Sequence, residues 1–182
     1  MPYILLIIAV VILVWGISTY NRFITLRNRC EEAFSTMDVY LKKRYDLIPN
    51  LVETVKGYAT HEAETLEKIV QARNLAVGAK SQADKIASEK DVQSLLGNVF
   101  AIAESYPELK ANTNFIDLQN QLQRMEEEIA QSRKYYNGVV RTFNIMCESI
   151  PSNILANMCH FEKQPLYMIE EDSHRENVKV SF

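Results

Sequence analysis

The sequence predicts an all-α fold: an N-terminal transmembrane helix continuing into a long antiparallel four-helix bundle. Three observations carry that expectation. The first is an uncharged apolar start, since no charged side chain occurs from Met1 to Asn21 and Tyr3 to Ile17 is apolar except for Gly16. The second is helical apolar spacing almost everywhere downstream. The third is the scarcity of turn formers, with only 5 Gly and 5 Pro in 182 residues and no Gly-Gly pair. Tight-turned β-sandwiches and glycine-rich phosphate loops need more glycine than this. An apolar fraction of 47% excludes a disordered chain. Three cysteines give no disulfide framework. A net charge of −3 argues against nucleic acid as a partner, because phosphate recognition needs surplus positive charge.

The anchor is predicted at residues 1–21. Twenty-one helical residues rise about 31 Å, close to the hydrocarbon thickness of a bilayer. Trp15 and Tyr20 lie towards its end, where amphipathic rings favour the headgroup level. A cleaved signal peptide would need a basic stretch before the apolar run and a small-x-small site after it. The chain opens Met-Pro-Tyr and continues after the run as Ser18-Thr19-Tyr20-Asn21-Arg22, which is neither. Arg22, Arg27 and Arg29 follow the span, so the positive-inside rule places the remainder in the cytosol. Unpaired cysteines agree with a reducing compartment.

The bundle is predicted over 22–160. Phe23, Leu26, Cys30, Ala33, Met37, Tyr40, Arg44 and Leu47 continue the first helix in alternating steps of three and four. Pro49 is expected to kink or end it, because proline lacks a backbone donor and clashes with the preceding turn. A second helix then starts at Pro49 or Asn50 with the stripe Leu51, Val52, Val55, Tyr58, Ala59, Leu66, Ile69, Val70, weakened at Gly57. The polar stretch Gly78 to Lys90 reads as a break. Ser88 and Asp91 there resemble a capping box for a third helix on Val92, Leu95, Leu96, Val99 and Ile102.

Tyr106-Pro107-Glu108 signals a loop. A closing helix is predicted from about Thr113 to Glu148, capped by Asn112 or Thr113 and stopped by Pro151. Its seam reads Phe115, Leu118, Leu122, Met125, Ile129, Ser132, Tyr136, Val139, Phe143, Met146, Ile150, the spacing of a coiled coil. Residues 161–182 read as a polar tail with apolar islands at Leu166 to Ile169 and Val178 to Phe182, draped on the bundle or awaiting a partner.

Catalytic constellations are hard to find. Di-metal bundles carry Glu-x-x-His on each of two helices, and the chain has this spacing only at Glu171 and His174, in the tail. His61 and Glu64 lack a partner motif. Glu126-Glu127-Glu128 lie between seam positions, so most of that charge is expected to face water. Cys159 and His160 are adjacent, which turns their side chains apart on a helix. Cys30 and Cys147 sit at or beside seam positions and read as core fillers. No enzyme activity, metal or cofactor is expected.

The sharpest feature is the charged segment Asp38 to Lys56. Asp38, Lys42 and Asp46 are spaced four apart, as in a ladder of opposite charges worth about 0.2–0.5 kcal/mol per pair. This reads as a solvated helix face, or as a candidate interaction surface of Asp38, Lys42, Arg44, Asp46, Asn50, Glu53 and Lys56. Residues 22–44 carry six positive against three negative side chains, which would favour anionic headgroups near the span.

The run Asp38-Val39-Tyr40-Leu41-Lys42-Lys43-Arg44-Tyr45-Asp46-Leu47-Ile48-Pro49-Asn50-Leu51-Val52-Glu53-Thr54-Val55-Lys56-Gly57-Tyr58-Ala59 resembles the signature of the LemA family. His61-Glu62, Thr65-Leu66 and Ala72-Arg73 continue the match. Ala103-Glu104-Ser105-Tyr106-Pro107-Glu108-Leu109-Lys110-Ala111-Asn112, with Asn114-Phe115, looks like its second signature. Arg133, Tyr135-Tyr136-Asn137, Pro151-Ser152-Asn153 and Lys179-Val180-Ser181-Phe182 are also similar, so the likeness covers nearly the whole chain. Phe34 stands where many members carry Trp. The resemblance implies a bacterial membrane protein with one N-terminal span and a long antiparallel helical bundle, and with the bundle in the cytosol the expected location is the inner membrane. The family's biochemical role is not established, and a relative that takes part in building the magnetosome membrane hints at membrane organisation.

The expected function is a membrane-anchored scaffold or interaction protein, with the lipid bilayer, further copies of the chain and another protein as partners. The alternative is a ligand- or peptide-binding module with a groove framed by the Pro49 bend and the Pro107 loop.

Overall fold

The computed structural model describes residues 2–168, and among them the regular structure is helical throughout. Helix α1 runs from Pro2 to Lys56, 55 residues without interruption. A 3-10 turn at Thr60–Glu62 leads into α2, Ala63–Gly78. Helix α3 spans Gln82–Glu104, the short α4 spans Pro107–Lys110, α5 spans Thr113–Glu148, and α6 spans Ser152–Met158. The islands at Ile169 and Val178 to Phe182, and the Glu171/His174 spacing, lie outside the described residues.

Three boundaries differ from the sequence expectation. Pro49 does not end α1; the break comes at Gly57, where Tyr58 and Ala59 donate to the Val55 carbonyl at 3.0 and 2.9 Å. The second helix therefore starts at Ala63 rather than at Pro49 or Asn50. Nor is Gly78 to Lys90 a long break. Ser81 caps α3 by accepting from the Asp84 amide at 3.0 Å, and Ser88 lies inside the helix with its hydroxyl bonded to the Lys85 carbonyl. Polarity misleads there because α3 begins on a half-covered face, where polar side chains carry a helix perfectly well. The closing helix matches its expected limits, and Asn112 accepts from the Phe115 amide at 3.1 Å.

Helices α1 and α5 form an antiparallel pair packed on seven-residue repeats. On α5 the buried positions Phe115, Leu122, Ile129, Tyr136 and Phe143 fall seven apart; on α1 so do Phe23, Cys30, Met37, Arg44 and Leu51. That period keeps one stripe of each helix on the other. The α2–α3 hairpin packs beside the pair at its far end, where Tyr45 meets Arg73 and Glu89, giving four helices in cross-section. Nearer the N-terminus, α6 and the extended residues 161–168 take the hairpin's place. Phe161 stacks on Phe23 with ring centroids 4.7 Å apart, and Phe143 meets Phe23 edge-on at 6.0 Å.

Two asparagines seven residues apart hold the extended segment against α5. Asn144 donates to the Gln164 carbonyl and accepts from its amide, both at 2.9 Å. Asn137 does the same for Tyr167, at 2.9 and 2.8 Å. Each side-chain amide thus satisfies a backbone donor and acceptor as a neighbouring strand would.

Candidate functional site

At the centre of the bundle lies a polar knot that ties four segments together. Arg44 of α1 and Glu89 of α3 are each only 1% exposed. Arg44 Nη2 donates to Glu89 Oε2, and Nη1 donates to Glu126 Oε1 of α5 at 2.6 Å. Tyr45 donates its hydroxyl to Glu89 Oε1, and the Tyr167 hydroxyl reaches Glu89 Oε2 at 3.3 Å. The Arg133 guanidinium sits 5.8 Å from the Tyr167 ring centroid. A buried carboxylate is tolerated only when its lone pairs are filled, and Glu89 is met by three donors.

Burial works against the Arg44 charge, but Glu89 and Glu126 outweigh it and hold the guanidinium above its ordinary value. Burial first, and then the Glu89 carboxylate, push the Tyr45 and Tyr167 hydroxyls well above the usual phenol range. Tyr136, which donates to the Pro165 carbonyl at 2.8 Å, is raised to about 12 chiefly by burial. These phenols stay protonated, so Tyr45 and Tyr167 meet Glu89 as hydrogen-bond donors.

The predicted surface residues part company here. Arg44, expected among them, turns inward because it falls on the same seven-residue stripe as Met37 and Leu51. Lys42, Asp46, Asn50, Glu53 and Lys56 are exposed, at steps of three or four along one face of α1. Asp38 is half-buried and paired with Lys85, while Asp46 lies 3.8 Å from Arg73. Around the span, Trp15, Tyr20, Arg22, Arg27 and Arg29 are exposed, and the Arg27 guanidinium stands 6.0 Å from the Phe161 ring centroid. Every residue from Tyr3 to Val14 is exposed, an apolar surface that water would not tolerate over such a length.

Glu89, Arg73 and Tyr167 were not among the expected site residues, although Arg73 lies in the family likeness and Tyr167 in an apolar island of the tail. Glu89 had a signal: the buried stripe Val92, Leu96, Val99, Ala103 steps by four, three and four, and three residues back from Val92 is Glu89. Of Glu126-Glu127-Glu128, most of whose charge was expected to face water, Glu127 is exposed and Glu126 is partly buried against Arg44. Among the described residues no three His, Cys, Asp or Glu side chains gather as a metal site would require. Cys30 is buried, which is the main reason its thiol is raised to about 11.

The family model described as LemA family matches residues 33–182. The chain belongs to the LemA family. Its match includes the knot and the exposed stripe of α1. Among curated relatives, the LemA protein of Metamycoplasma hominis is 23% identical over 160 residues, covering 84% of this chain and 73% of its own. The magnetosome protein MamQ 2 of Paramagnetospirillum magneticum is 24% identical over 189 residues, with 87% and 70% covered. The magnetosome protein MamQ of Magnetospirillum gryphiswaldense is similar to the same degree, with the same coverage. This LemA-family chain is accordingly a membrane-associated helical protein.

Proposed function

We propose that this LemA-family protein is a membrane-anchored scaffold that assembles with copies of itself or recruits another protein, and that it has no catalytic role. The observation that carries the reading is the continuity of α1, which is both the exposed apolar span and the central strut of the bundle. From Asn21 to Lys56 a straight helix rises about 54 Å. A surface at its far end is therefore held at a set height above the bilayer, with little freedom to fold back. Residues 1–21 serve as anchor, 22–160 as bundle and 161–182 as tail. Arg22, Arg27 and Arg29 favour a cytosolic bundle at a bacterial inner membrane. The exposed stripe Lys42, Asp46, Asn50, Glu53 and Lys56 is the surface offered to a partner, with Asp38 at its lower edge. The resemblance to proteins named for the magnetosome supports a role in membrane organisation.

The test is the mass of the full-length protein in nanodiscs beside a chain starting at Asn21. A discrete assembly in the full-length sample alone supports the scaffold. Monomers in both, with no partner captured by cross-linking in native membranes, overturn it.

One observation favours the second reading, a peptide- or ligand-binding module. Helices α3 and α5 leave a groove of about 380 Å³ lined by Leu96, Gly97, Phe100, Gln119, Leu122 and Gln123. It lies along the bundle side rather than at a bend at Pro49. Loss of binding to a screened peptide on Gly97→Trp substitution would support this module.

A further inference from the structure

Past the end of α5 the chain makes a corner that belongs at the membrane surface. Contact between Phe143 and Phe23 sets the register of the antiparallel pair. From Phe143 to Glu148 helix α5 descends about 7.5 Å further, and with Phe34 against Tyr136 and Arg44 against Glu126 this brings its end level with residues 18–22 of α1. Ser149 and Ser152 line one surface cleft with Arg22, which puts the start of the corner beside the foot of the span. A span of about 20 residues reaches Tyr20 or Asn21 before the hydrocarbon ends. The corner after α5 is therefore as low as the boundary of the apolar layer.

Its composition suits that depth. Ile150 is 84% exposed, Met158 71%, Ile154 59% and Ile145 55%. Ile154 and Met158, four apart, lie on one face of α6, whose opposite side buries Ala156 against the bundle. Between Arg141 and Glu162 the only charged side chain is Glu148, in a chain that is 24% charged overall. Glu148 is paired with Lys163 at 2.7 Å, so even that charge is matched. Scattered exposed apolar residues need no explanation, but four around one corner level with the end of a membrane span do.

We propose that the α5–α6 corner, through Ile150, Ile154 and Met158, inserts into the headgroup–acyl boundary of the bilayer as a second membrane contact. The occupant of this face is lipid, because α6 and Phe161 pack on α1 where the apolar span ends and the corner shares the depth of that end. A second contact adds to the interfacial anchors of α1 in setting the tilt and rotation of the bundle. The inference rests on the membrane-anchored reading, and the following experiment separates the two.

The chain has one tryptophan, Trp15. Full-length protein is reconstituted in phosphatidylcholine vesicles with either plain acyl chains or chains brominated near the headgroup. Trp15 in the unaltered protein reports the anchor. In a Trp15→Phe background, Ile154→Trp and Met158→Trp report the corner, and Tyr135→Trp, on an exposed site farther up α5, reports the bundle. Brominated lipid is expected to lower emission at least twofold for Trp15 and for both corner variants, and to leave the Tyr135→Trp variant unchanged. Quenching of Trp15 without quenching of either corner variant overturns the corner contact and leaves the anchor standing. No quenching of Trp15 overturns both. Corner variants shielded from both bromine and aqueous iodide, with cross-linked dimers, would assign the face to a second copy and overturn the lipid contact.

Discussion

Arg73 Nε donates to the backbone carbonyl of Tyr45 at 3.2 Å, across from α2 to α1. Tyr45 is four residues before Pro49, and its carbonyl is the one that a regular helix would pair with the missing Pro49 N–H. A side chain from another helix thus replaces the donor that proline removes. An interior proline ordinarily costs about 3 kcal/mol, and this one sits in an unbroken helix because its orphaned acceptor is filled. Arg73 also faces Asp46 at 3.8 Å, which steadies it over the turn.

Arg73→Leu should therefore destabilise the fold by about 1.5–3 kcal/mol, the range for a hydrogen bond from a charged donor. In a Pro49→Ala background, where the amide returns, the same substitution should cost clearly less. Chemical denaturation of the four proteins in a double-mutant cycle gives the coupling. Equal costs in both backgrounds would mean that Arg73 does not compensate for the proline.

Removing one half of the buried Arg44–Glu89 pair leaves the other charge without its partner. Glu89→Ala should cost about 3–5 kcal/mol, while replacing both by apolar residues of similar volume, Arg44→Met with Glu89→Leu, should recover much of the loss. Thermal unfolding followed by circular dichroism checks the order. A double variant as unstable as the sum of the singles would show that the Tyr45 and Tyr167 hydroxyls, left without their acceptor, dominate.

The extended segment offers a sharper local readout. Asn137→Asp keeps the acceptor for the Tyr167 amide and loses the donor to its carbonyl. Amide exchange at Tyr167 should speed up by an order of magnitude, about 1.4 kcal/mol in local opening, while the Gln164 amide held by Asn144 changes less. Uniform acceleration along α5 would point instead to global destabilisation.

Alkaline pH should unfold the protein through its buried phenols. Tyr136 is raised from 10.0 to about 12. Below pH 10 both folded and unfolded states keep the proton and its contribution to stability is complete. As pH rises from 10 to about 12 the unfolded state ionises first, so stability falls across that window. Cys30 acts in the same direction from 9.0 to about 11. Tyr136→Phe should lower stability at pH 7 by about 1 kcal/mol, through loss of the bond to the Pro165 carbonyl. It should also shallow the decline above pH 10. Denaturation midpoints between pH 7 and 12 test both, and an unchanged slope would remove Tyr136 from the alkaline response.

Residue order was enough for the all-α fold, the apolar N-terminal helix and the span of α5 from about Thr113 to Glu148, with its cap narrowed to Asn112 or Thr113. Each of these depends on residues within a few turns of one another, where spacing, caps and charge carry the whole signal. Packing settled the rest: α1 continues through Pro49, Arg44 turns inward, Ser81 rather than Ser88 opens α3, and Asn112 rather than Thr113 caps α5. The Pro49 cost is local but its remedy, Arg73, lies on another helix. The place of Arg44 in the seam was visible in its spacing, yet a buried guanidinium is stable only beside carboxylates that other helices bring. Periodicity shows which face of a helix is turned inward, and only the packed neighbours show what that face meets there.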